Sequence, residues 1–217
     1  MIAATSTVTT VTLHVATSLW MGSARNALKG EADAWRARAE LERQQRDGLP
    51  FDAANDELDA ALAAIGGAAF AIDGFYGSIA PRIAVPPHLL AAWERNRTAR
   101  EDRILESLKL AFGLGAAGAR WQTDLPWLFA LRNGNVHATE VFAAPEPHPA
   151  MGNVARERTL YTAENATRAV DLMLEVFATC DVGRLRRQSD PQLEDWRTRQ
   201  EPLVEQLRAA RQRSRAA

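Results

Sequence analysis

Arg132, Asn133 and His137 fall within one hexapeptide, Arg132-Asn133-Gly134-Asn135-Val136-His137. Histidine has the side chain whose ordinary pKa lies nearest neutrality, so it can take or give a proton at physiological pH. Arginine keeps its charge and presents a planar fork of donors that suits an anion. An asparagine beside them can orient either group by hydrogen bonding. The spacing limits how they cooperate. At 3.6 residues per turn, five residues advance about 500°, so Arg132 and His137 stand roughly 140° apart on an ideal helix. They share no face. Either Gly134 distorts or ends the helix, or a two-fold axis brings residues of two copies together. A plainer account stays open, because basic residues are favoured near helix C-termini and Asn-Gly is a common helix terminator.

Other polar residues compete weakly. Asp73 stands among apolar residues, and a buried carboxylate needs a partner. It either holds Arg132 or His137 in place or faces solvent. Tyr76 is either part of that site or a core residue with a satisfied hydroxyl. Arg97, Arg100 and Arg103 are interleaved with Glu101, Asp102 and Glu106, the pattern of a salt-bridged surface. His14, His88 and His148 are scattered. The single cysteine, Cys180, excludes an intramolecular disulfide and a cysteine zinc site, and its apolar surroundings suggest a small core residue. There is no Gly-rich phosphate loop, no His-Glu-x-x-His and no nucleophile elbow. No metal or other cofactor is expected.

The elements that must position these residues are helical. The chain has 217 residues, 47% of them apolar and 24% charged, which suits a globular protein. Alanine is abundant and favours helix. Residues 1–17, rich in Thr and Val, read as a short strand or a frayed helix start. A helix is predicted over 18–47, with Leu19, Ala24, Leu28, Ala32, Trp35, Ala39 and Leu41 approximating its apolar stripe. A second begins near Asp52 or Asn55 and carries Leu58, Leu62, Ile65, Ala69, Ile72, Phe75, Tyr76 and Ile79. Its Gly66-Gly67 pair predicts a close helix crossing. Pro81 to Pro87 forms a loop. A third helix covers roughly 89–117, with Trp93, Ile104, Leu105, Leu108 and Phe112 in the core. It breaks near Asn96, where Thr98 is able to cap a fresh start.

A fourth helix is predicted to start at Thr123 or Asp124, with Pro126 in its first turn. It runs through Trp127, Leu128, Phe129 and Leu131 into the hexapeptide. Three prolines, Pro145, Pro147 and Pro149, make 143–158 a long loop. A fifth helix is capped by Thr162 and carries Ala166, Ala169, Val170, Met173, Leu174 and Phe177 inward. Residues 183–217 read as solvent-facing helix, with sparse apolar points at Leu193, Trp196, Leu203 and Leu207, packed on a partner if on anything. Over 182–217 nine arginines stand against five acids, leaving this segment at +4 and the rest of a chain of net charge -1 at -5. A GC-rich coding sequence would give the same arginine bias. The N-terminus has no basic region followed by an apolar block, so no secretory signal is expected. The longest apolar stretch, 60–72, is 13 residues, and a membrane span needs about 20. These features predict a soluble, cytoplasmic protein with no membrane contact.

An arginine followed by Asn and then by a histidine five positions on, late in a helix of an all-α chain, resembles the HEPN family, whose signature is an arginine and a histidine separated by four to six residues. Arg132, Asn133 and His137 match it. The aromatic helix before the motif, the helix over 162–180 after it, and Ala71-Ile72-Asp73-Gly74-Phe75-Tyr76 in the second helix also resemble the family's order. The likeness covers about 15–182. It implies an all-α, HEPN-like bundle of five or more helices over 1–182, with a charged helical extension over 183–217 outside it.

The resemblance further implies a metal-independent endoribonuclease that works as a homodimer on RNA, a toxin or defence effector in type. An antitoxin or regulatory protein would be its partner. In that reading His137 is general acid and base, Arg132 stabilises the phosphorane-like transition state, and Asn133 orients. Asp73 and Tyr76 support them. The alternative is a non-catalytic HEPN-like module that binds nucleotide, RNA or a partner and dimerises without cleaving.

Overall fold

The computed structural model describes residues 3–49, 52–136, 144–182 and 191–216. It is an all-α bundle, with eight α-helices and one small hairpin among the described residues. Helix α1, Ala3–Asp47, is continuous from its first described residue, so the Thr/Val-rich start is helix and not strand. Helix α2, Ala53–Ile79, folds back along it. A Schellman motif ends α1. In it Leu49 N–H donates to Gln44 O at 2.9 Å and Gly48 N–H to Gln45 O at 3.3 Å. Gly48 supplies the left-handed step, at φ 67°, a conformation that costs glycine little.

The two long helices cross very closely. A Cβ on Gly30 would sit 2.7 Å from the Ala64 backbone nitrogen, and one on Gly67 would sit 2.9 Å from that of Ala27. The Gly66-Gly67 expectation holds, and Gly30 is its counterpart on α1. The predicted apolar stripe of α1 is right in part, with Ala24, Leu28 and Leu41 buried. Leu19, Trp35 and Ala39 are exposed. The buried stripe is Trp20, Ala24, Ala27, Glu31, Ala34, Arg38 and Leu41, spaced three and four apart. Two charged residues stand in it, which is why hydrophobicity alone finds only part of the face.

A short 3-10 turn, Ala80–Arg82, leads to α3, Pro87–Asn96, and α4, Arg100–Ala111. The break falls where predicted, at Arg97, which adopts φ 50°. Thr98 does not cap α4; Ala99 holds that position, with no side-chain cap, and Thr98 instead accepts a bond from Arg103 through its carbonyl. The third helix ends at Ala111 and not near 117. Helix α5, Gly115–Val136, starts two turns earlier than Thr123, so Pro126 lies inside it. Trp121, Leu125, Leu128 and Phe129 are fully buried, and this packing holds the turn upstream of the proline that its missing N–H would otherwise loosen.

The proline-bearing loop contains an antiparallel hairpin, β1 Glu146–His148 and β2 Gly152–Val154, paired Pro147 to Asn153. Then come α6, Arg156–Leu160, and α7, Ala163–Val182. Thr162 caps α7 as predicted, its Oγ1 accepting Asn165 N–H at 3.3 Å, the bond expected of an N-cap hydroxyl.

Helix α8, Pro191–Ala216, faces solvent on one side only. Leu193, Trp196, Gln200, Val204, Leu207 and Arg211 form one buried stripe. Trp196 joins Trp20, Phe75 and Phe177 in an aromatic cluster, with ring centroids 5.1 Å apart for Phe75–Trp196 and 5.4 Å for Trp20–Phe75. Its Nε1 donates to Ser78 Oγ at 3.0 Å. Each such aromatic pair adds about 0.5–1.5 kcal/mol beyond simple burial, so α8 belongs to the same core as α1, α2 and α7. Residues 53–82 are long and apolar enough to cross a membrane by length and composition. Here α2 packs against α1, α5 and α7 as the central helix of the bundle.

Candidate functional site

Arg132 lies in the last turn and a half of α5. Its guanidinium stacks on Phe129 of α5 (5.0 Å to the ring centroid) and Phe70 of α2 (5.4 Å). Its Nε is buried without a hydrogen-bond partner, and no carboxylate forms an ion pair with it among the described residues. Asn133 beside it is exposed, as is Val136. The turn is pinned from behind. Tyr161, between α6 and α7, donates its hydroxyl to the Leu131 carbonyl at 2.9 Å. Gly134 leaves room for this, since a Cβ there would sit 3.1 Å from Tyr161 Oη. Burial, with Glu157 nearby, pushes the Tyr161 phenol up, which keeps it a donor.

Gly134 does not end the helix, because α5 continues through it to Val136. His137 lies outside the described residues. Asp73 and Tyr76 gather around a different arginine. Arg100 of α4 donates to Asp73 Oδ1 through Nε (2.8 Å) and Nη2 (2.7 Å), and its guanidinium lies 4.8 Å over the Tyr76 ring. The Tyr76 hydroxyl meets Ser107 Oγ at 3.2 Å. Among the described residues Asp73 is thus held by Arg100, not by Arg132 or by solvent alone, and Arg100 is drawn out of the expected ladder of neighbouring acids.

Two buried ionic clusters escape the sequence reading. In the first, Arg38 binds Glu57 through Nε (3.0 Å) and Nη2 (2.5 Å), and Glu164 through Nη1 (2.5 Å) and Nη2 (3.1 Å). Glu57 also accepts the first N–H of α7, from Ala163, at 2.9 Å. His148 of β1 brings Nε2 to 3.9 Å from Glu57 Oε2, while its Nδ1 accepts Ala150 N–H at 3.1 Å. That bond places the imidazole proton on Nε2, toward Glu57. Burial holds the His148 pKa below its ordinary value despite Glu57, because an imidazolium loses its hydration there. Burial works against the charge of Glu164, and the Arg38 hydrogen bonds outweigh it, leaving its pKa lowered. For Arg38 burial is again outweighed, by Glu57 and Glu164, and its pKa is raised. The Arg38 and Glu57 side chains are buried and bonded within the chain, so this cluster ties together α1, α2, α7 and the hairpin. The second cluster joins Arg211 of α8 to Glu31 (2.8 Å) and to Asp171.

The signal for both was present: Glu31 and Arg38 stand at the buried spacing of α1. Among the described residues no three His, Cys, Asp or Glu side chains gather as a metal-ligand set. No family model matches the chain, and no curated protein or solved structure does either.

Proposed function

We propose that this protein is a metal-independent endoribonuclease of the HEPN type, cytoplasmic and homodimeric, acting as a toxin or defence effector under the control of an antitoxin or regulatory protein. The observation that carries the reading is Arg132. Many of the described arginines are spent on carboxylates, among them Arg38, Arg100, Arg168 and Arg211. Arg132 is held in place by two aromatic rings and a pinned helix end, with no carboxylate among the described residues. A guanidinium fixed without an anion is poised to take one, and phosphate matches its fork.

The dimer reading has its own support. On an ideal helix Arg132 and His137 would stand roughly 140° apart, so two motifs facing across a two-fold axis would complete one site. Phe70 is 48% exposed and Val136 54%, an apolar border suited to an isologous contact. In this reading the RNA 2′-hydroxyl attacks the adjacent phosphorus and gives its proton to His137. The P–O5′ bond breaks, a proton returns to the leaving oxygen, and Arg132 holds the developing charge. The products are a 2′,3′-cyclic phosphate and a 5′-hydroxyl.

The test is purified protein with total RNA in EDTA. Cleavage should appear, leave cyclic phosphate ends, and vanish in His137→Ala and Arg132→Ala variants of unchanged helicity. RNA that stays intact across a range of salt and pH overturns the enzyme, and retained RNA binding in that case would favour the non-catalytic module.

A further inference from the structure

A cavity of about 900 Å³ lies away from Arg132, where α1, α7 and α8 meet. That is the size of a small-molecule site, typically about 300–1,000 Å³. Trp35 lines it and is 44% exposed. The indole is fixed, because Nε1 donates to Thr167 Oγ1 of α7 at 2.8 Å. Ala32 and Ala39, one turn to either side on α1, are too small to cover the ring. Three guanidiniums line the cavity, Arg36, Arg211 and Arg215, against one carboxylate, Glu31. Arg211 is fully engaged by Glu31 and Asp171. Arg215 contacts those acids through Nη2 alone and is 56% exposed, and Arg36 meets Asp33 through Nη2 alone and is 76% exposed. Each keeps Nε and Nη1 for another anion among the described residues.

We propose that this cavity is a nucleotide-binding site, in which a base stacks on Trp35 and a phosphate is held by Arg36 and Arg215. A flat, immobilised aromatic face beside arginine donors is the combination that single nucleotides and single-stranded nucleic acids use, because stacking accepts any base and the guanidinium fork fits phosphate. Glu31 and Arg211 keep the α8 wall in position beneath them. The site shares no residue with the Arg132 cluster, so it stands or falls separately from ribonuclease activity.

Isothermal titration of the full chain with adenosine 5′-monophosphate, and with a short single-stranded deoxyoligonucleotide that has no 2′-hydroxyl to react, tests the assignment. The expected result is binding that weakens about tenfold to a hundredfold in Trp35→Ala, weakens with added salt, and weakens in Arg215→Gln. Arg215→Gln leaves Arg211 on Glu31, so its melting temperature should stay near wild type. Binding of the mononucleotide identifies a free nucleotide as sufficient, whereas binding of the oligonucleotide alone identifies a nucleic-acid strand as the source of the same chemistry. Absence of binding by both ligands at millimolar concentration overturns the proposal, and so does binding that Trp35→Ala and Arg215→Gln leave unchanged.

Discussion

Arg38 and Arg132 are both guanidiniums drawn into the bundle, and they end in opposite conditions. Arg38 is 2% exposed and grips two carboxylates at once. Arg132 lies against two phenyl rings, and its Nε has no partner among the described residues. Removing a charge from water is tolerable only when hydrogen bonds and opposite charges replace the solvent. Arg38 has that replacement within the chain, so its charge holds the fold. Arg132 lacks it among the described residues, and the proposed function rests on that difference.

The largest effect should come from Arg38→Met. It leaves Glu57, 1% exposed, with the Ala163 N–H and His148 but, among the described residues, no cation beside it, and breaking a buried pair in this way costs about 3–5 kcal/mol. Urea unfolding would measure it, and a loss under about 1 kcal/mol would show that the cluster is open to solvent. The same cluster predicts a pH dependence. His148 has its folded pKa below the unfolded value, which is about 6.5. Its neutral form is the one that folds, so its contribution is present above that value and is lost as pH falls toward the folded pKa. Glu164, also lowered, loses its contribution as pH falls below the ordinary carboxylate range. Both run the same way, so stability should fall as the buffer is taken from neutral to mildly acidic, less steeply in His148→Gln. An unchanged slope in that variant would remove His148 from the account.

Smaller effects sharpen the other side. Tyr161→Phe removes the bond to Leu131 O and should cost about 1 kcal/mol, read by thermal unfolding, with a larger proportional loss in RNA cleavage because the last turn of α5 is freed. Arg132→Ala should alter stability least, by about 1 kcal/mol or less, since only ring contacts go, while abolishing cleavage. If Arg132→Ala unfolds the protein as Arg38→Met is expected to, the contrast between the two arginines is wrong.

Some of the architecture was legible in the residues. Gly66-Gly67 announced a close crossing because a side chain has no room there, and Thr162 announced the start of α7 because its hydroxyl meets an amide that the helix leaves unpaired. The α1 stripe misled at Leu19 and Trp35 because these are large and apolar, whereas the buried face is built largely of alanines and carries two charged residues. Thr123, Asp124 and Pro126 misled in the same way: local signals marked a helix start, and the burial of Trp121 carried the helix past it. The hexapeptide was visible as chemistry, but its true surroundings, Phe70, Phe129 and Tyr161, are set by the fold and leave no mark on its spacing.

What the sequence alone determined is the helical class, most helix positions, and the residues able to hold an anion. These follow from propensity, capping and periodicity, all of which act within a few turns. Only the tertiary structure decided which guanidiniums are spent and which are left. It brought Arg211 to Glu31 across 180 residues, Arg38 to Glu164 across 126 and Asp73 to Arg100. A charge is neutralised by whatever the fold places beside it, and that distance is not encoded in neighbouring residues.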